Sequence, residues 1–212
     1  MKKNSAITTT LSTYPQTDLV ILAGGQARRM NGINKLLQKF DDQIQLLKIH
    51  QQLKHQVAQV WVNSHRDYSI YQKLIPNIYC YQDDERGFLG PLMGMKSAWS
   101  YVKSDYVLFV PCDVTFVPVQ VVEKLHRALA RVSLAEVAYV EFNGKALYPF
   151  CLLKRSAFAM IRTHLEQGQR SLKQCFSDLH AQKAAFENHA LFFHSINSLD
   201  ELQQYRQLKL LY

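Results

Sequence analysis

Several common signals are missing from this sequence of 212 residues, and each absence removes a class of protein. No apolar run reaches the length of about 20 residues that a membrane-spanning helix needs. The four cysteines lie far apart without a CxxC pair, so neither a zinc site nor a thiol redox motif is indicated. The eight histidines show no HxxxH or HxH spacing, and no GxSxG element of a serine hydrolase is present.

Acidic residues are also scarce relative to basic ones. The chain has 25 Lys and Arg against 17 Asp and Glu, which gives a formal net charge of +8. Such a charge favours anionic partners, among them nucleotides, phosphorylated cofactors and nucleic acid. Because no block of Lys and Arg is interleaved with aromatic residues, we expect no nucleic-acid partner.

The first residues, MKKNSAITTTLSTYPQT, contain two lysines but no long apolar segment. We interpret them as a polar tail rather than a signal peptide. A disordered tail is therefore expected over residues 1–17, followed by one domain over residues 18–212. A cytoplasmic location without a membrane partner is the corresponding expectation.

Strand and helix patterns alternate along the chain. Strands are predicted at 18–23, 57–62, 78–81 and 106–110. Helices are predicted at 43–56, at 67–74, in a segment that ends near residue 103, and at 119–132. A loop containing Gly87, Gly90, Pro91 and Gly94 precedes the third of these helices. The alternation predicts a single-domain α/β fold, Rossmann-like, with a mostly parallel sheet and helices on both faces.

The second half of the chain differs in its pattern. Strand patterns at 135–142 and 146–153 flank Asn143-Gly144, a hairpin-type turn, and predict some antiparallel pairing. Helices are predicted at 155–166 and 171–179, one or two short strands at 184–193, and a last helix capped by Ser198 and Glu201.

A phosphate-binding loop is predicted where the first strand ends. The strand stops at Gly24-Gly25 and opens into a basic stretch that reaches Lys35. Glycines let backbone N–H groups approach phosphate oxygens, and cations offset the phosphate charge. The stretch matches neither GxGxxG nor GxxxxGK[ST], and a solvated basic turn is the alternative interpretation. Of the adjacent Arg28 and Arg29, we favour Arg29 as the one facing the site.

Polar residues follow the other three predicted parallel strands. They are Asn63, Asp83 and Asp113, the last after the apolar run LFVPC. Because ligands of parallel sheets bind beyond the carboxyl ends of the strands, these residues are expected to meet the glycine loop at one rim. A single carboxylate near phosphate oxygens is typical of a Mg²⁺ site, which makes Asp113 the candidate metal ligand.

These residues also carry a family resemblance. LAGGQARRMNGINK resembles the LAGGxxxRMGGxDK signature of the nucleotidyltransferases that make molybdenum cofactor dinucleotides. WVNSHR around Asn63, QDD at Asp83, GPLMGM from Gly90 to Met95 and PCD at Asp113 match in the same order, and HSINSLDEL resembles the family's NxN-TPEEL region. The sequence is most similar to the molybdenum cofactor guanylyltransferase family, with its nucleotidyltransferase fold.

The resemblance implies a reaction and a set of site residues. GMP would be transferred from GTP to molybdenum-bearing molybdopterin, with pyrophosphate released and Mg²⁺ required. Lys35, Arg29 and Asp113 would be catalytic, with Asp113 also holding Mg²⁺. The implied GTP contacts are Leu22, Ala23, Gly24, Gly25, Lys35, Asn63 and Asp83. Molybdenum-insertion and molybdoenzyme-maturation proteins are expected partners, and a monomer or weak oligomer is expected.

Some positions depart from the family pattern, and other functions stay open. Asn31 replaces a family Gly, Asn34 replaces the Asp before Lys35, and Ser195 stands where the first Asn of NxN usually lies. The alternatives are a molybdopterin cytidylyltransferase, a sugar-phosphate nucleotidyltransferase, a non-catalytic nucleotide-binding cofactor carrier and, least favoured, a nucleic-acid-binding module. Anion contacts and solvated helix positions are equally good interpretations of the basic residues in the second half, which are Arg155, Arg162, Arg170 and Lys173.

Overall fold

The computed structural model describes residues 14–25, 30, 32–85, 87, 89–187 and 193–210. Within these ranges, seven strands form one sheet in the order β3-β2-β1-β4-β6-β5-β7. The strands are β1 (Thr17–Leu22), β2 (Val60–Asn63), β3 (Tyr79–Tyr81), β4 (Tyr106–Pro111), β5 (Val137–Phe142), β6 (Lys145–Lys154) and β7 (Gln182–Phe186). The predicted α/β class and its mixed sheet are confirmed.

The helices described are α1 (Gln45–Leu53), α2 (Tyr68–Leu74), α3 (Pro91–Ala98), α4 (Val121–Ala130), α5 (Phe158–Glu166), α6 (Leu172–Asp178) and α7 (Leu199–Lys209). They pack on both faces of the sheet because successive strand side chains point to opposite sides. In β1, Leu19 and Ile21 join the core beneath α1, α2 and α4, whereas Val20 and Leu22 join the core beneath α3, α5 and α6. None of the helices in the described part of the chain is long and apolar enough to cross a membrane.

The direction of the chain reverses beside β1. Strands β2 and β3 follow β1 on one side of it in the sheet, and β4 then lies on the other side of β1. Both β2 and β4 pair with β1 in parallel register. A crevice therefore opens at the carboxyl ends of β1 and β4, the usual place for a ligand in an open α/β sheet.

The antiparallel pairing comes from β6, which runs opposite to its neighbours β4 and β5. The predicted hairpin turn is confirmed, since Asn143 has φ 47° and Gly144 has φ 77°. These positive values are those of a turn that matches the twist of the two strands. The register shifts between Tyr139 and Val140, whose β6 partners are Cys151 and Leu147, so three β6 residues form a bulge.

The predicted loop before the third helix is partly wrong. Helix α3 already begins at Pro91, and Gly94 lies inside it. Proline is favourable at the first helical position, where its missing N–H would have no partner in any case. Gly90, with φ 84°, makes the turn into the helix. Gly90 and Gly94 together suggested a loop, but only Gly90 lies in the turn, and Gly94 has a helical conformation.

The amino-terminal boundary lies near the predicted position. Residues 1–13 of the predicted tail are outside the described residues, and β1 begins one residue before the predicted domain start. Tyr14 contacts the domain, because its hydroxyl donates to the Gln56 carbonyl at 3.1 Å and its ring stacks on His126. The boundary between tail and domain stays a prediction.

His126 is a buried titratable group beneath this boundary. The Thr17 hydroxyl donates its one hydrogen to the Pro15 carbonyl at 2.9 Å. It lies 2.8 Å from His126 Nε2 and therefore accepts a hydrogen bond from that nitrogen. Burial lowers the pKa of His126 to about 4. The unfolded chain therefore binds a proton below about pH 6.5 that the folded chain does not bind until about pH 4.

We predict that this histidine makes folding less stable in mild acid. Between pH 7 and 4.5, wild type should lose on the order of 2 kcal/mol more unfolding free energy than His126→Gln. Urea unfolding at several pH values measures this difference, with the exposed His55→Gln as a control that should follow wild type. Parallel pH profiles of wild type and His126→Gln would show that His126 does not contribute.

Candidate functional site

A cavity of about 810 Å³ opens at the carboxyl ends of β1 to β4. Its wall combines residues after these strands with part of β6 and the segment before α7. The residues that line it are Leu22, Gly24, Gly25, Asn63, Asp83, Gly87, Gly90, Pro91, Pro111, Asp113, Val114, Ala146, Leu147, Tyr148, Pro149, Ser195 and Asn197. Segments more than 170 residues apart in the chain thus share one concave surface.

Lys35 and Asp113 form an ion pair at this cavity. Lys35 Nζ lies 3.1 Å from Asp113 Oδ2, and it also donates to the Ile196 carbonyl at 2.9 Å and Asn197 Oδ1 at 3.2 Å. Only 13% of the Lys35 side chain and 21% of the Asp113 side chain are exposed. The three N–H donors of the ammonium group thus have three acceptors among the described residues. Lys35 therefore joins the loop after β1 to the end of β4 and to residues 196–197.

Local structure explains the position of each partner in this pair. Lys35 is the first residue of a short 3-10 helix, Lys35–Leu37, and the fully buried Leu36 anchors that helix in the core. Asp113 follows the apolar strand β4, and its carbonyl accepts from the Ile196 N–H at 2.9 Å. The segment before α7 is thus attached to Asp113 directly through the backbone and indirectly through the Lys35 ammonium group.

A second polar group lies where β2 and β3 end. Asn63 Nδ2 donates to Asp83 Oδ1 at 2.9 Å, and His65 Nε2 lies 3.3 Å from Asp83 Oδ2. The Asp83 side chain is 6% exposed and lines the cavity. Its neighbour Asp84 instead lies 3.3 Å from Lys96 Nζ on α3. Of the adjacent aspartates, Asp83 is therefore the one at the cavity.

Two glycines make room for the buried Asn63 side chain. A Cβ on Gly24 would lie 3.0 Å from Asn63 Oδ1, and a Cβ on Gly94 would lie 2.6 Å from the same oxygen. Real Cβ atoms essentially never approach an oxygen as closely as 2.6 Å. The second glycine of GPLMGM is thus required because helix α3 passes directly over Asn63.

The raised pKa of the cysteine beside Asp113 argues against a nucleophilic role. Burial, and secondarily the negative charge of Asp113, raises the pKa of the Cys112 thiol to about 12. A thiol rather than a thiolate is therefore present at neutral pH, and the thiolate is the form that attacks an electrophile.

The structure brings together most of the residues that the sequence analysis selected. Leu22, Gly24, Gly25, Asn63, Asp83 and Asp113 line the cavity. Among the described residues, Ala23 and Lys35 are not part of the lining: the Ala23 N–H donates to the Asn63 carbonyl at 2.8 Å, and Lys35 reaches the site through Asp113. Arg28 and Arg29 lie outside the described residues.

The basic residues of the second half do not supply a cationic wall within the described lining. Arg155 donates to the Val102 and Ser104 carbonyls, each at 2.9 Å, which lie before β4 and so at the opposite end of that strand. Arg162 lies 3.6 Å from Glu166 on its own helix. Both side chains therefore have structural partners away from the cavity.

One wall of the cavity was missed from the sequence. Ala146, Leu147, Tyr148 and Pro149 belong to β6, which runs antiparallel to β4. Pro149 lies in the bulge, where its missing N–H leaves no broken ladder hydrogen bond. A proline inside an otherwise strand-like run was the signal that could have marked this bulge.

Comparison with known proteins gives a consistent set of relatives. Residues 19–184 match the family model of the MobA-like NTP transferase domain. A molybdenum cofactor guanylyltransferase of Acinetobacter baumannii is 67% identical over 196 residues, which are 92% of this chain and 94% of that protein. The protein of the same name from Pasteurella multocida is 37% identical over 185 residues, which are 87% of this chain and 96% of that protein.

Solved structures share the fold at low sequence identity. Molybdopterin-guanine dinucleotide biosynthesis protein A from Archaeoglobus fulgidus superposes with a TM-score of 0.67 at 17% identity, covering 92% of this chain and all of that one. The inositol-1-phosphate CTP transferase from T. maritima gives a TM-score of 0.71 at 12% identity, covering 92% and 96% of the two chains. At these identities, the likeness shows the fold alone.

We predict that Gly94→Ala separates nucleotide binding from stability. The new methyl group should displace Asn63 and weaken nucleotide binding by roughly tenfold, the effect of losing one hydrogen bond to a charged group. Helix propensity favours alanine by about 1 kcal/mol and should offset much of the steric cost in stability. Calorimetric titration with GTP and a thermal melt measure the two effects.

The double variant Asn63→Ala, Gly94→Ala provides the control. With the Asn63 side chain removed, the Gly94 substitution should have little further effect on affinity. If Gly94→Ala bound GTP as tightly as wild type, the close approach would not constrain the site.

Proposed function

This chain belongs to the MobA-like NTP transferase family, and from that premise we propose that its cavity joins a nucleoside triphosphate to a phosphorylated acceptor. The chain transfers GMP from GTP to molybdenum-bearing molybdopterin, which forms the guanine dinucleotide form of the cofactor and releases pyrophosphate. The observation that carries this proposal is the convergence of four strand ends, with Gly24, Asn63, Asp83 and Asp113, on one cavity. The 67% identity to a molybdenum cofactor guanylyltransferase supports the choice of substrates.

We assign the nucleotide to the part of the cavity formed by the ends of β1, β2 and β3. Gly24 and Gly25 offer backbone N–H groups to the phosphates, with Leu22 and Ala23 leading into their loop. A carboxylate can accept about four hydrogen bonds, so Asp83 has acceptor capacity beyond its contacts with Asn63 and His65, which suits the adjacent N1–H and N2–H donors of guanine. Cytosine does not present two such donors side by side, which favours GTP over CTP.

The acceptor occupies the remaining part of the cavity, beside β6 and residues 195–197. A terminal phosphate oxygen of molybdopterin attacks the α-phosphorus of GTP, and a new phosphoanhydride bond forms as the bond between the α- and β-phosphates breaks. Pyrophosphate leaves with the electron pair of the broken bond. The attacking phosphate is already anionic, so the step needs neither a strong general base nor a protein nucleophile, in agreement with the neutral Cys112 thiol.

The residues present fit a Mg²⁺ ion. Mg²⁺ usually binds one or two carboxylates together with substrate phosphates and waters. Asp113 presents such a carboxylate at the cavity, and no cluster of three or more His, Cys, Asp or Glu side chains suited to a metal occurs in the described ranges. When bound, the ion would neutralise charge on the phosphates.

Lys35 has two parts in this proposal. It holds Asp113 in place through the contact of 3.1 Å, and its charge lies where the phosphate charge must be offset. Arg29 is proposed as a further cation at the same phosphates, from the family resemblance alone. The other proposals with that basis are a monomer or weak oligomer and transfer of the product to molybdenum-insertion and molybdoenzyme-maturation proteins. We also propose a cytoplasmic location, because the named relatives are biosynthetic enzymes.

A nucleotide-selectivity assay tests the proposed function. The purified chain is supplied with molybdenum-bearing molybdopterin, Mg²⁺ and either GTP or CTP, and pyrophosphate release is measured. GTP should be the preferred donor. Preference for CTP would indicate a cytidylyltransferase, release with a hexose phosphate instead of molybdopterin would indicate a sugar-phosphate nucleotidyltransferase, and GTP binding without release would indicate a carrier.

We predict that Lys35→Ala and Asp113→Ala each lower turnover by roughly 30-fold or more. Removing one charged contact of this kind typically costs about 2–4 kcal/mol of transition-state stabilisation. Steady-state assays with GTP and a thermal melt of each variant measure this. Asp105→Ala, which removes an exposed carboxylate at the other end of β4, should retain wild-type turnover. Near wild-type turnover of folded Asp113→Ala would remove this carboxylate from the mechanism.

A further inference from the structure

Asn34 stands where the resembling family has Asp, directly before Lys35, and its side chain has a clear structural part. Its Oδ1 accepts the Leu36 N–H at 3.0 Å, which caps the short helix that begins at Lys35. Side-chain caps of this kind satisfy a backbone donor that the helix itself leaves without a partner. The orientation of the Asn34 side chain therefore influences the start of this helix, and with it the position of Lys35.

The amide group of Asn34 is fixed by the segment after β2. Its Nδ2 donates to Asp67 Oδ2 at 2.6 Å and to the Tyr71 hydroxyl at 2.7 Å. Tyr71 is fully buried, and Asp67, with φ 64°, precedes α2. Next to them, Arg66 donates to the Gly32 carbonyl at 2.6 Å. Residues 66, 67 and 71 thus hold the loop after β1 from one side.

The charge of Asp67 explains why an amide is needed at position 34. An aspartate in the same place would put a second carboxylate oxygen about 2.6 Å from Asp67 Oδ2, where Asn34 now donates an amide N–H. Two like charges at that distance repel strongly in a partly buried place. Only 28% of the Asp67 side chain is exposed, so solvent screens this repulsion incompletely. Asn34 and Asp67 are therefore a matched pair.

We propose that Asp67 is a positioning residue for the triphosphate site, because it orients Asn34 and thereby fixes Lys35 against Asp113. The contacts are consecutive: Asp67 to Asn34, Asn34 to the capped helix, and Lys35 Nζ to Asp113 Oδ2 at 3.1 Å. Among the described residues, neither Asp67 nor Asn34 lines the cavity. The catalytic role of Asp67 rests on the proposed function, whereas its contact with Asn34 does not depend on that function.

A cycle of four proteins tests this proposal: wild type, Asn34→Asp, Asp67→Asn and the double variant. Asn34→Asp should lower kcat and tripolyphosphate affinity by at least roughly tenfold, since the two carboxylates force the loop apart. Asp67→Asn should lose only about threefold, because its amide can turn its oxygen towards Asn34. The double variant restores one carboxylate and one amide, and should lie within about threefold of wild type.

Asn77→Asp is the matched control for added charge, because Asn77 is exposed and lies outside the site. It should leave kcat and affinity unchanged. If Asn34→Asp does not fold, Asn34→Ser replaces it: serine keeps an oxygen for the Leu36 N–H but removes the donor to Asp67, and should lower tripolyphosphate affinity about threefold or more.

Recovery in the double variant is the decisive measurement, since a general structural defect would accumulate rather than reverse. The proposal would be overturned by Asn34→Asp with activity within twofold of wild type, or by a double variant no better than Asn34→Asp. Failure of wild type to release pyrophosphate from GTP with molybdopterin would instead overturn the proposed function. Tripolyphosphate affinities across the four proteins test the pairing in either case.

Discussion

The contact between Lys35 and Asp113 is the interaction on which the candidate site depends. The two residues are 78 positions apart, and their side chains are largely buried. Removing one partner of a fully buried pair typically costs about 3–5 kcal/mol, because the other charge is left uncompensated. The residual exposure of 13% and 21% lowers that cost here, but the same charges lie at the cavity and cannot change without altering it. Residues 196–197 are bound to this pair, so the segment before α7 closes the site.

Around this pair, close approach of backbone and side chain shapes the nucleotide half of the cavity. Asn63 lies against Gly24 on one side and Gly94 on the other, and it holds Asp83 through its amide. Side chains of even one carbon at the two glycines would press on the Asn63 oxygen. The glycines of two distant motifs are thus explained by one buried amide, rather than by the conformational freedom of a loop.

The sheet topology decides where these parts can meet. Since β4 returns to lie beside β1, the loops after the two strands open on one crevice, and β2 and β3 contribute their ends from the same side. The antiparallel β6 then supplies a further wall, because residues 146–149 in its amino-terminal half lie at the carboxyl ends of the parallel strands. The fold is shared with nucleotidyltransferases of other specificity, such as the inositol-1-phosphate CTP transferase, so specificity belongs to the side chains and not to the topology.

The sequence alone was enough to predict the α/β class, the alternating elements and the strand-end residues, because strand periodicity, apolar runs and turn residues are local properties of the chain. It also determined the family, since the motifs from LAGG to PCD occur in a fixed order. The predicted start of α3 was wrong because glycine in a sequence usually indicates a loop. Gly94 is instead needed inside the helix, where any side chain would collide with Asn63. The three-dimensional structure was needed to find that Lys35 pairs with Asp113, that Asn34 contacts Asp67 and that β6 forms one wall of the cavity. These contacts join residues 33 to 78 positions apart or depend on strand register, and no local pattern encodes which distant side chain fills a given space.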